Sequence, residues 1–347
     1  PGISDPHLYF ELFHSSNIGN YNRTRYRNAE MDRLTDLGDS VLEPEKRRPY
    51  YFQIQELAAL FHPDGPNDVA PGVYNATAVA AGLVALLLAG ATRPDGRARV
   101  IVLDVGQGDA ILVEGGRGGR LLVDTAGDPG RLLVALDARI PPWDRRLDAV
   151  VVTHPHEDHA GGLPLLLERY RIAHLYGNGR RSEGLTARAI AVGARDHGLA
   201  VTTLRPGDAL HVDGTALRVL WPRSERVTDP DPGGRTVNDS SIVLLGSVGA
   251  RRFLLMADAE DDVDPSLLAA GLPRLDLLKV AHHGSRTATS AALLAMTRPT
   301  VAVISVGAKN DYGHPSPATL ERLATAGART YRTDRDGSVE VVLGPEG

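Results

Sequence analysis

From Val100 onward the chain alternates short apolar runs with glycine-bearing turns. RVIVLDV, AILVE, RLLVDT and DAVVVTH come first, and LRVLWP, SIVLLGS, RFLLMAD, LDLLKVA, TVAVISVG and VEVVL follow. Each run is short and rich in Val, Ile and Leu, the pattern of a β-strand. Helices are predicted over 129–139, 162–170, 185–198, 288–296 and 316–326. So many strands with helices at irregular intervals point to an α/β fold of two packed sheets with helices outside, and not to a simple βαβ repeat. No internal repeat stands out.

The first hundred residues read differently. Residues 1–62 are rich in Tyr, Asn and Arg, and a helix is predicted from Pro44 to Leu60, with Glu43 and Glu45 near its start. HPDGPNDVAPG (62–72) has the composition of a linker. ATAVAAGLVALLLAGA (76–91) is apolar but shorter than the roughly 20 residues of a membrane span. It fits the end of a transmembrane helix, a signal-like segment or a buried alanine-rich helix. Its mid-chain position argues against a signal peptide, and the membrane reading is favoured. Arg93, Arg97 and Arg99 follow it and lean towards a cytoplasmic C-terminal side. The chain begins at Pro1, as expected of a fragment or a processed product.

Composition narrows the chemistry. With 38 basic against 43 acidic residues the net charge is −5, so a polyanion would need a local site. There is no cysteine, so a metal must be held by imidazole and carboxylate. Lysine occurs only at 46, 279 and 309.

The densest cluster is THPHEDHAGG (153–162), directly after an apolar run. His154 and His156 point the same way in extended chain, and Asp158 and His159 open a helix that Gly161 and Gly162 allow to approach closely. This suits two cations, one on His154 and His156, the other on Asp158 and His159. The plain alternative is a polar loop capping a helix. Further ligands would come from strand ends: Asp258 in RFLLMAD, placed to bridge two cations, and one of His282 and His283 in KVAHHGS. The other histidine of that pair would meet substrate or a neighbour. In DVGQGDA (104–110), Asp104 is the candidate to orient a ligand histidine from behind, or else a turn residue. KNDYGHPSP (309–317) places Lys309, Tyr312 and His314 before a helix capped by Ser316; His314 would meet a phosphate or protonate a leaving oxygen. Lys309 and Ser285 are further candidates to steady a phosphate. In NDSS (238–241), Asn238 is a candidate weak ligand and Ser241 a phosphate donor; a plain turn is the alternative.

With these stretches in view, residues 97–345 resemble the metallo-β-lactamase superfamily. The set DVGQGDA, THPHEDHAGG, NDSSIVLL, LLMADAE, LLKVAHHGS and KNDYGHPSP resembles, more narrowly, the C-terminal domain of the ComEC/Rec2 family of competence proteins. The resemblance implies an αββα sandwich over 97–347, preceded by a linker and apolar segment at 63–96. It implies a two-metal hydrolase with Zn or Mn on His154, His156, Asp158, His159, Asp258 and one of His282 and His283. Single-stranded DNA is the implied substrate and a membrane DNA-channel domain the implied partner, with the hydrolase outside the cytoplasmic membrane. Asp158, His314, Lys309 and Ser285 are the implied catalytic set. The fuller superfamily pattern has one more ligand histidine before the bridging aspartate. His174, His197 and His211 lie in that interval without a matching motif, so the first metal site is expected to be nitrogen-poor and manganese becomes plausible. Few aromatics lie in 97–345, so base stacking is expected to be weak. The alternatives are hydrolysis of a small phosphoester such as a phosphorylcholine ester, and an inactive or regulatory module of a DNA transporter. Residues 1–60, with DPHLYFELFHSSNIGNYNRTRYRNAEMDRL and EPEKRRPYYFQIQELAAL, resemble a piece of the periplasmic substrate-binding proteins of peptide ABC transporters. That piece is too short to rebuild a peptide site.

Overall fold

The computed structural model describes residues 29–40, 53, 94–180, 184–224, 227 and 235–344. The helix expected at 44–60, apart from Gln53, and the apolar segment 76–91 lie outside the described residues. Among the described residues no helix is long and apolar enough to cross a membrane. The chain divides into two units, 1–88 and 89–347. In the first, α1 (Ala29–Ser40) buries Met31 and Leu34 and carries an Arg33–Glu30 ion pair one turn apart.

The apolar runs of the second unit form two seven-stranded sheets. The first contains β1 (Arg99–Val102), β2 (Ile111–Glu114), β3 (Arg120–Val123), β4 (Arg146–Val152), β5 (Arg171–Gly177) and β6 (Val201–Thr203), with β14 (Val339–Val342) beside β1. The second contains β7 (Ala209–Val212), β8 (Thr215–Trp221), β9 (Val243–Val248), β10 (Arg251–Leu255), β11 (Leu277–Lys279), β12 (Val301–Ile304) and β13 (Arg329–Arg332). Each sheet is antiparallel in its first part and parallel afterwards, from β3 to β6 and from β10 to β13. The two halves thus repeat a topology that leaves no repeat in the sequence, because only the apolar pattern is shared.

Strand alternation divides the core into layers. Val100, Val102, Val123 and Val151 face Leu217, Leu244, Phe253, Leu255 and Val303 of the other sheet. Ile101, Leu122, Val150 and Val152 face helices α2 (Pro129–Asp137), α4 (Leu163–Arg169) and α5 (Leu185–Asp196), where Leu132, Leu136, Leu166 and Ala194 lie. On the far side, Leu254, Leu278, Ala302 and Ile304 cover Leu267, Leu293 and Leu323. Helices outside two sheets make the αββα sandwich. Full burial of both strand faces is the reason the central runs are unbroken in Val, Ile and Leu; each such side chain contributes about 1.5–3 kcal/mol.

One irregularity positions the site. A register shift between Val219 and Trp221 turns Trp221 out of the inter-sheet layer into the outer core. There its indole N–H donates to the Asp239 carbonyl at 2.6 Å and holds the NDSS turn, which follows the short helix α6 (Arg235–Asn238).

Candidate metal centre

The ends of β3, β4, β10, β11 and β12 meet at one edge of the sandwich, where α/β sheets ordinarily place their ligands. β4 runs into Thr153 and His154, and α3 (Glu157–Ala160) follows at once, with His156 as its N-cap. Two glycines make this possible. A Cβ on Gly162 would lie 2.1 Å from the Thr125 carbonyl oxygen, and one on Gly108 (φ +116°) 2.1 Å from that of Asp158.

Asp158, His159, Asp258 and His283 each offer a ligand atom within 4.8 Å of the others'. His159 Nε2 and Asp258 Oδ1 are 3.1 Å apart, and His283 Nε2 is 3.2 Å from Asp158 Oδ2. His159, Asp258 and His283 are buried. Among the described residues, His159 Nε2 and Asp258 Oδ1 have no hydrogen-bond partner although both are shut off from water. Buried polar atoms rarely lack a partner, and a bound cation would supply one. The donor set, two imidazoles and two carboxylates, suits a divalent metal. Beside this quartet, His154 Nε2 lies 3.1 Å from His156 Nδ1.

Neighbouring groups fix which nitrogen each imidazole presents. His159 turns Nδ1 to Asp124 Oδ2 at 2.8 Å, leaving Nε2 for the cluster. Asp124 also accepts from the Thr153 N–H and hydroxyl, at 2.7 and 2.8 Å. His283 turns Nδ1 to the Ser305 carbonyl at 3.0 Å. His154 Nδ1 meets the hydroxyls of Thr153 and Ser241, at 3.1 and 3.2 Å.

Electrostatics follow from this crowding. Burial disfavours the His159 imidazolium, but Asp258, Asp124 and Asp158 outweigh it and raise the group well above its usual pKa. Burial likewise opposes charge on His283, yet Asp258, Asp109 and Asp158 push it up to about 10. Burial raises Asp258, but the imidazoles of His159 and His283 more than reverse this and hold it well below the carboxylate range. Burial, then the nearby His159, keeps His154 neutral. Without metal the cluster therefore holds protons where cations would sit.

The pair His282 and His283 separates. β11 does not continue; both histidines adopt left-handed backbone, with φ of 45° and 51°, in a 3-10 turn (Ala281–Gly284). His283 enters the quartet. His282 Nδ1 meets the Glu260 carboxylate at 2.5 Å, and its Nε2 lies 3.7 Å from Asp258 Oδ2. A cleft of about 320 Å³ opens over the cluster, lined by Gln107, His156, Asp158, Asn238, Asp258, His282, His283, Tyr312 and His314, with Glu157 at its edge. Asn310 closes the loop carrying Tyr312 and His314, donating to the Gly307 and His314 carbonyls and accepting the His314 N–H. Ser316 caps the next helix (Pro317–Thr325) by accepting from the Thr319 N–H.

Other sequence candidates lie elsewhere. Asp104 is exposed and accepts the Gly106 N–H in its own turn, so Asp124 does the orienting that Asp104 was expected to do. Ser241 stands behind His154, and Asn238 Nδ2 is 3.5 Å from His282. Ser285 is buried and bonded to Thr287; neither it nor the exposed Lys309 lines the cleft. His174 lies beside Tyr176 with the two rings tilted 32° to each other, His197 bonds the Gly193 carbonyl at the end of α5, and His211 lines a separate hollow with Arg117 and Arg146. Asp124, Asp109, Lys279 and Glu260 were missed. Asp124 had a usable signal, since RLLVD (120–124) brings an aspartate to the end of an apolar run as RFLLMAD does.

Residues 49–76 match the C-terminal domain of a family of unknown function, DUF8230. ComE operon protein 3 of Bacillus subtilis is 30% identical over 263 residues, covering 70% of this chain and 32% of the relative. Competence protein ComA of Neisseria gonorrhoeae is 30% identical over 260 residues, covering 73% and 33%. The chain thus spans about a third of the length of these relatives. The solved metallo-β-lactamase fold protein YhfI of Bacillus subtilis superposes with a TM-score of 0.48 at 13% identity, covering 71% of this chain and 99% of that one. The metallo-β-lactamase superfamily model matches residues 103–308, more than half of the chain, and the chain belongs to that superfamily of metal-dependent hydrolases.

Proposed function

We propose that this domain hydrolyses phosphodiesters with two divalent cations, zinc or manganese, and that single-stranded DNA is its substrate. The observation that carries the reading is the quartet of Asp158, His159, Asp258 and His283, all but Asp158 buried, with Asp158, Asp258 and His283 lining an open cleft. In this reading the quartet holds one cation, and His154 and His156 contribute to the other. Bound cations would polarise a phosphoryl oxygen and acidify a water. The residues around them do the rest. Asp124 and Ser305 keep His159 and His283 in the ligating tautomer. His314, whose pKa is lowered by burial and then by His282 and His283, stays neutral at pH 7 and donates its N–H to the phosphate. Lys309, exposed on the same loop, neutralises a phosphate further along the strand, and Ser285 steadies the turn that bears His283. The similarity to a competence protein supports DNA as the substrate. A membrane DNA-channel domain is the proposed partner, with the hydrolase on the outer side of the cytoplasmic membrane.

The test is cleavage of labelled single- and double-stranded DNA with Mn²⁺ or Zn²⁺, beside His156→Ala and Asp158→Ala. Metal-dependent cutting of single strands, lost in both variants, is the expected result. Hydrolysis of a phosphorylcholine ester with no cutting of nucleic acid would sink the nuclease reading. Fewer than two bound cations at saturation would favour a regulatory module.

A further inference from the structure

Lys279 and Asp109 come from different sheets and meet inside the sandwich. Lys279 ends β11, opposite Leu255 and Val303. Alternation puts it on the face of Leu277, which packs between the sheets. Its ammonium contacts the carboxylate of Asp109, from the loop after β1, and both side chains are 0% exposed. A lysine buried so completely needs an opposite charge, and here the partner lies directly beneath the quartet.

Asp109 reaches two ligand histidines at once. Oδ1 lies 3.5 Å from His283 Nδ1, and Oδ2 lies 4.0 Å from His159 Nδ1. Its backbone N–H donates to the Asp158 carbonyl at 3.1 Å. Among the described residues Asp109 Oδ1 has no hydrogen-bond partner, and Asp109, Asp124 and His159 bring ligand atoms within 4.8 Å of one another. A free carboxylate here would add negative charge behind the quartet and strengthen its hold on a cation. An unopposed ammonium would repel that cation.

We infer that Lys279 is an internal counter-ion that cancels Asp109 and so sets the charge felt by the metal cluster. Neither residue touches substrate; the pair acts through His159 and His283. The inference rests on the two-metal reading and predicts effects of opposite sign, which a merely structural ion pair does not produce. The measurement is the dissociation constant of Mn²⁺ and Zn²⁺ by chelator competition on the full chain. Asp109→Asn weakens binding about 10–100-fold, the usual range for a group behind the ligands. Lys279→Met tightens binding, and unchanged binding in that variant counts against the inference. The double variant D109N/K279M removes both charges and stays within about threefold of the parent, because the two effects are coupled. Weakening by both single changes, or a tenfold loss in the double variant, overturns the inference. Should a single variant fail to fold, the double variant, with no buried charge left unpaired, decides alone. A parent chain that binds no metal would refute the two-metal reading itself.

Discussion

Asp124→Asn tests how the cluster is held. The Asp124 carboxylate is fully buried and accepts three hydrogen bonds, from the Thr153 N–H, the Thr153 hydroxyl and His159 Nδ1. Asparagine keeps one oxygen, which can satisfy the Thr153 N–H, and the hydroxyl can rotate to accept. His159 is then left with an amide donor facing Nδ1. Its ring answers by moving the proton to Nε2, the atom 3.1 Å from Asp258 Oδ1, and the lone pair for a cation is lost. A hydrogen bond to a charged group is worth about 1.5–3 kcal/mol, which at about 1.4 kcal/mol per decade predicts roughly 10–150-fold weaker metal binding. That agrees with the 10–100-fold typical of groups behind metal ligands. The metal-free fold should lose less, because burial already raises the pKa of Asp124 and Asp109 adds repulsion. The assay is chelator competition beside thermal melting in EDTA. Unchanged affinity in D124N would refute the tautomer argument, and an equal loss in both assays would reduce Asp124 to a structural residue.

Two further outcomes follow from the same geometry. His283 is raised from 6.5 to about 10, so it adds stability to the metal-free protein that is complete below pH 6.5 and lost as pH climbs through about 10. Melting temperature in EDTA should therefore fall between those values; a flat or rising profile contradicts the assignment. Tyr312 is 71% exposed at the rim of the cleft, with its ring stacked at 12° on His314. Aromatic stacking is worth about 1–3 kcal/mol per base, so Tyr312→Ala should raise KM for single-stranded DNA roughly 5–150-fold while leaving hydrolysis of bis(p-nitrophenyl) phosphate unchanged. Equal effects on both substrates would remove stacking from the account.

The stretches that meet in the candidate cluster were legible because each follows an apolar run and imidazole and carboxylate were the only metal donors on offer. What escaped depended on backbone direction and strand order. His282 and His283 could not be told apart by alternation, since the chain leaves extended geometry at that point. Asp104 and Asp124 both follow apolar strands, yet Asp104 is taken up by its own turn, its carboxylate accepting the Gly106 N–H and its backbone N–H donating to the Ser338 hydroxyl. Lys279 gave no signal either, because a lysine closing an apolar strand ordinarily reaches water.

The repeated topology explains why the centre could not be read from one stretch. The quartet draws Asp158 and His159 from the first sheet's half and Asp258 and His283 from the second's. The supports are divided in the same way, with Asp124 behind one pair and Ser305 behind the other, and Asp109 and Lys279 joined across the sandwich. Each half alone offers one imidazole and one carboxylate of the quartet, too few to hold a divalent ion tightly. THPHEDHAGG is dense in histidine, but it completes a cation site only when the packing of Val151 and Val123 against Leu255 and Val303 brings the second half to the same edge.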